Sequence, residues 1–323
     1  MRGETARSSV PVWMKPIVYG AGCMVIAGGV LPGCTIVHDT KASAGYPNVP
    51  TAASAPFPAA TPTSIQTDEG TEESPSAPYL VVKEGRRLGS FNNLKEALEA
   101  AKNKSGARID FKKLGSTLWS EEPLQAERHI EAPLIYQMPE LERGCEVTSL
   151  AMLLQQAGVD ADKMTLAEEV KKDETPFEIV DHMIHFGNPN TGFVGDIATF
   201  QEPGLGVYHG PVKELAERYL PGRVVDATGA EFDDVLRLLQ AGAPVWVIVN
   251  MQYQELDDDQ FETWVTPEGM LDITYQEHSV LITGFDDEYV YFNDPLGEDE
   301  RAERTDFQAA WEQMGRQAIT YAK

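Results

Sequence analysis

The strongest apolar periodicity begins after residue 145. Val147, Leu150, Ala151, Leu153 and Leu154 recur at helical spacing, and Gly158 follows as a stop. A helix is predicted over 146–157. Val212, Leu215, Ala216 and Tyr219 predict a second amphipathic helix, and Phe232, Val235, Leu236 and Leu239 a third. The pattern then turns from helical to extended. Residues 245–249, 279–283 and 289–292 are short β-branched and aromatic runs, with Asp286 and Asp287 as the turn between the last two. A short helix over 307–314 and a strand over 318–321 follow. Helices first and antiparallel strands later make the region α+β.

A smaller unit precedes it. Residues 79–82 read as a strand, Gly85 as a turn and Ser90 with Phe91 as an edge. Asn93 can cap a helix carrying Leu94, Ala97, Leu98 and Ala101. Further strands are predicted around 108–111 and 118–119. This ββαβ-type unit over 79–122 is too small to bury a sizeable core alone. It is expected to pack as an accessory module on the main domain, 123–323.

Residues 1–33 show a different pattern. Arg2, Arg7 and Lys15 precede an uncharged stretch over 16–31 that ends in Leu31, Pro32, Gly33 and Cys34. The stretch is shorter than the roughly 20 residues of a membrane helix. It fits the apolar core of a secretory signal. The ending resembles a bacterial lipobox, with Leu31 and Gly33 in place and Pro32 as a departure. That resemblance implies lipidation of Cys34; an ordinary signal peptide or an uncleaved anchor is the alternative. Residues 34–78, rich in Pro, Ala, Ser and Thr, read as a disordered tether. Together these features predict an extracytoplasmic, surface-held protein whose membrane partner is met through the N-terminus.

Charge narrows the partners. The 323 residues carry 51 acidic and 26 Lys or Arg side chains, a formal net charge of −25. Such a surface repels phosphate backbones, so nucleic acid is not expected as a partner. No cofactor motif is present, and no metal site is expected. His182 and His185 lack the intervening glutamate of a zinc-protease helix. Asp257, Asp258 and Asp259 lack calcium-loop spacing and read as a solvated turn. His209, beside Gly210 and Pro211, is expected in an exposed loop. Tyr208, Trp246 and Trp264 are expected in the core rather than in a cleft.

Three cysteines occur, and only Cys145 lies outside the N-terminal stretch. It sits at the start of the predicted helix, where unpaired N–H groups favour thiolate. Gly144 clears space beside the sulfur, whereas the charge of Glu146 opposes ionisation. Cys145 is therefore a buried small residue or a nucleophile. His278 begins a predicted strand, and the turn at Asp286 and Asp287 sets Asp294 opposite it within one residue of register. A carboxylate there can fix the imidazole tautomer. Gln137, upstream of Cys145, could donate to an oxyanion.

These residues lie in a familiar frame. The run QMPELERGCEVTSLAMLL over 137–154 resembles the nucleophile segment of bacteriocin-processing-like cysteine peptidases, the C39-like members of the papain-like clan. The likeness continues through GFVGD (192–196), PGLGVY (203–208), GAPVW (242–246), WVTP (264–267), EHSV (277–280) and NDP (293–295). It implies a papain-like fold over about 130–323, with the nucleophile helix in its helical part. It also implies Cys145 as nucleophile, His278 as general base and then acid, Asp294 as orienter and Gln137 as oxyanion donor. A peptide or protein substrate follows. The rival expectation is a catalytically weak papain-like module for binding or adhesion at the cell surface. Oligomeric state and cleavage preference are not legible.

Overall fold

The computed structural model describes residues 77–297 and 300–323; the expected signal over 1–33, Cys34 and the expected tether up to residue 76 lie outside them, and Ala77, at the end of that stretch, is buried. Among the described residues the fold is α+β, with six α-helices and mainly antiparallel sheets. Among the described residues no helix is long and apolar enough to cross a membrane.

The central sheet runs in the order Val224–Asp226, Ala318–Tyr321, Val245–Asn250, Glu277–Phe285, Tyr289–Asn293 and Arg301–Glu303. A short strand, Arg128–His129, also pairs with Glu277–Phe285. The two central strands are nearly continuous in buried side chains, so both faces of the sheet must be covered. One face carries Trp246, Ile248, Leu281 and Ile319 against the helix Cys145–Gln156 and the helix His209–Tyr219. The other carries Val245, Val247, Val249, Val280 and Ile282. It packs on the helix Phe232–Gln240 and on Phe307 and Trp311 of the helix Arg304–Gln313.

The 79–122 unit forms a four-stranded antiparallel sheet ordered Arg86–Phe91, Tyr79–Lys83, Ala107–Phe111 and Ser116–Ser120, with the helix Leu94–Ala101 on it. Asn93 caps that helix, accepting the Glu96 N–H at 2.9 Å. The unit shares one apolar core with Phe232, Val235 and Trp311. Buried Asp234 ties the two parts together. It accepts the Trp119 indole N–H at 3.0 Å and pairs with Lys102 at 2.6 Å.

A second four-stranded sheet joins Gly269–Ile273, Glu262–Thr266, Met183–His185 and Glu178–Val180. Its middle pair is parallel. His209 does not lie in a loop as expected. It starts the helix His209–Tyr219, and its Nδ1 lies 3.4 Å from Asp226 Oδ2. Pro211 sits in the first turn, where no intrahelical N–H is required of it, so Gly-Pro does not break the helix.

Candidate functional site

Cys145 is the first residue of its helix, and Gly144 is the cap. A Cβ on Gly144 would stand 2.4 Å from Leu141 Cβ, so only glycine allows the chain to turn into the helix here. Two bonds fix the helix start to the sheet. The Trp246 indole donates to the Glu146 carbonyl at 3.0 Å, and Ser149 Oγ donates to the Ser279 carbonyl at 3.0 Å. All four groups are buried.

His278 and Asp294 meet. Their Nε2 and Oδ1 are 2.8 Å apart, and each residue is 2% exposed. Asp294 Oδ1 also accepts the Leu296 N–H at 2.8 Å. A carboxylate can only accept, so the imidazole proton belongs on Nε2 and the Nδ1 lone pair is left available. Tyr253 packs edge-on to the His278 ring, with centroids 6.3 Å apart, and lies tilted against Phe292 at 4.7 Å.

The sulfur of Cys145 faces acids. Its hydrogen bond goes to Glu146 Oε2 at 3.3 Å, and the other Glu146 oxygen accepts the Val207 N–H at 2.6 Å. Glu277 completes the group: one donor atom each from Cys145, Glu146 and Glu277 lie within 4.8 Å of one another. Among the described residues no hydrogen bond joins the sulfur to His278. Strand alternation explains the arrangement. Glu277 lies on the same side as Ser279 and Leu281, toward the helix, and His278 on the side of Val280 and Ile282.

The electrostatics follow from burial. Desolvation, then the charges of Glu146 and Glu277, push the Cys145 thiol well above its ordinary pKa, against an opposing Ser279 N–H. Burial raises Glu146 to about 7, although its own and the Val207 N–H groups favour the carboxylate. Burial, then the charge of Glu146, raises Glu277 well above the usual range. The resting thiol therefore keeps its proton at neutral pH. Replacing Glu146 by Gln removes the nearest charge yet keeps a carbonyl acceptor. Alkylation of Cys145 at mildly alkaline pH is expected to accelerate about tenfold, the effect of one unit of thiol pKa. Mass spectrometry of the labelled peptide reads it, and an unchanged rate contradicts this role of the carboxylate.

Gln137 lies in the loop before the helix, with its backbone N–H bonded to the Pro295 carbonyl at 2.8 Å. Its Nε2 donates to the Leu141 and Glu142 carbonyls, both at 3.1 Å. Two carbonyl partners fix the amide orientation and occupy both hydrogens. Its Oε1 is buried without a partner among the described residues. Sequence reasoning noted Glu146 only as an opposing charge and missed Glu277. The signal was present: an acid at the head of the apolar strand run 279–283, two residues before a side chain that faces the helix.

Known proteins share this frame. The model of the Peptidase_C39 like family matches residues 129–319. The uncharacterized protein YvpB of Bacillus subtilis (strain 168) is 48% identical over 186 residues, 57% of this chain and 71% of that protein. A crystal structure of a proposed C39-like peptidase from Bacillus anthracis aligns with a TM-score of 0.58 and 48% identity. It covers 62% of this chain and 98% of its own. The family match takes in the helix headed by Cys145, the strand bearing His278 and Asp294 beyond it, and spans more than half of the sequence, so the chain belongs to the Peptidase_C39 like family.

Proposed function

We propose that the chain is an exported, surface-tethered cysteine peptidase of papain-like architecture that cleaves a peptide or protein substrate. The observation that carries this reading is the buried His278–Asp294 pair at 2.8 Å, with His278 on a strand packed against the helix that Cys145 begins. Membership of a peptidase family supports it.

In this reading the substrate carbonyl reaches the sulfur once Sγ has moved, because Leu141 rather than open space fills the side-chain position of Gly144. A rearrangement must bring Cys145 Sγ, which rests on Glu146, to the imidazole, since His278 starts from the other side of the strand. His278 Nδ1 takes the thiol proton as sulfur bonds to the carbonyl carbon. The N–H groups at the helix start face the developing oxyanion. Gln137 joins them by releasing one of its two carbonyl partners. The protonated His278 then gives its proton to the leaving amine, and Asp294 stabilises the imidazolium meanwhile. Water, deprotonated by the same histidine, resolves the thioester. The signal over 1–33 and the tether over 34–78, with Cys34 as lipid attachment point, place this domain outside the cytoplasmic membrane.

The test uses a mixture of proteome-derived peptides, sequenced by mass spectrometry after incubation with the wild type or Cys145→Ala. New termini with the wild type alone support the peptidase. Identical peptide sets from both proteins overturn it and favour the weak binding module, to which the acid-facing thiol is suited.

A further inference from the structure

We propose that Cys145, Glu146 and Glu277 form a binding site for a thiophilic divalent cation of the Zn²⁺ class. Two ligands of one tetrahedral zinc ion, at about 2.3 Å for sulfur and 2.0 Å for oxygen, stand about 3.5 Å apart. The Cys145 sulfur and Glu146 Oε2 are already 3.3 Å apart. A carboxylate oxygen of Glu277 lies within 4.8 Å of both donors.

A separate observation points to a missing partner. Glu277 is only 8% exposed, and its Oε1 has no hydrogen-bond partner among the described residues. Buried carboxylates are ordinarily paired, hydrogen-bonded or metal-bound. Glycine at 206 lets both carboxylates sit against the backbone. A Cβ on Gly206 would stand 2.2 Å from Glu146 Oε1 and 2.9 Å from Glu277 Oε2. The Val207 N–H holds Glu146 Oε1 at 2.6 Å, which leaves Oε2 as the ligand atom.

One thiolate and two carboxylates suit zinc better than calcium or magnesium, because sulfur is a soft donor. On binding, the cation displaces to water the thiol proton and any proton held by Glu146 or Glu277, and forms the metal–sulfur and metal–oxygen bonds; no electron is transferred. A water molecule can fill the remaining position. The bound ion then occupies the sulfur lone pair and neutralises the acids around it. The consequence for catalysis, a cation-capped resting enzyme, rests on the peptidase reading; binding itself does not.

The test needs no turnover. The full chain is titrated with Zn²⁺, and alkylation of Cys145 is followed by peptide mass spectrometry, which separates it from Cys23 and Cys34. One equivalent of Zn²⁺ is expected to slow labelling of Cys145 at least about tenfold. The protection is expected to vanish in Glu277→Gln while the thiol still labels. Labelling unaffected by Zn²⁺, or protected equally in Glu277→Gln, overturns the site and leaves a proton as the sole neutraliser of the acids. Should that variant not fold by circular dichroism, Co²⁺ decides with unsubstituted ligands. A near-ultraviolet thiolate-to-cobalt band, absent in Cys145→Ser, supports the site, and no such band refutes it.

Discussion

His278→Ala is expected to lower kcat/KM for a cleaved peptide by about 10²–10⁴-fold, the usual worth of a positioned general base. The substitution removes the Nδ1 lone pair and the proton carrier for the leaving amine. It also leaves Asp294 with the Leu296 N–H but without the imidazole. Asp294→Asn should cost a similar factor for a different reason. Its amide N–H₂ can face Nε2 and force the imidazole proton onto Nδ1, where it blocks the base. Initial rates on one cleaved peptide, with circular dichroism to verify folding, check both variants. A change within about threefold for His278→Ala contradicts a base role.

Trp246→Ala is expected to destabilise the fold by about 3–5 kcal/mol in urea unfolding. The indole is fully buried between the central sheet and the helix Cys145–Gln156, and its N–H is bonded to the Glu146 carbonyl at 3.0 Å. Truncation leaves a cavity and removes a partner from a buried carbonyl. Trp246→Phe restores much of the volume but not the hydrogen bond, and should cost about 1–2 kcal/mol. A loss below about 1 kcal/mol for the alanine variant contradicts the view that this contact anchors the helix start.

The helices and the central hairpin were legible because their signals are local. The predicted helix over 146–157 is Cys145–Gln156, and the strand over 279–283 is the core of Glu277–Phe285. The turn at Asp286 and Asp287 located the hairpin, but the pairing beside the site is two residues off the expected His278–Asp294 register. Leu281 faces Asn293 and Ile282 faces Phe292, with an irregularity before Gly284. Asp294 therefore reaches His278 from beyond the end of its strand, diagonally rather than directly across. The same parity keeps both on one face.

What escaped depends on long-range pairing. The sheet of Glu262–Thr266 and Met183–His185 exists because Trp264 pairs with Ile184, 80 positions away in the sequence. Its strand Glu178–Val180 is exposed and lacks an apolar rhythm. The bond from Trp119 to Asp234 likewise joins segments 115 residues apart. At the site, the order of Gln137, Cys145, His278 and Asp294 was readable, but the partner of the sulfur was not. That partner is set by which face of the strand meets the helix, and a single sequence leaves the face of Glu277 open until Leu281 and Trp246 are placed together.

The most direct test of the peptidase reading is rapid acid quenching of the wild type during cleavage of a peptide, followed by peptide mapping. A thioester joining Cys145 to the N-terminal fragment is expected, appearing before free product and absent in Cys145→Ala. Cleavage that continues in Cys145→Ala, or that leaves no adduct on Cys145, contradicts a covalent mechanism through this thiol.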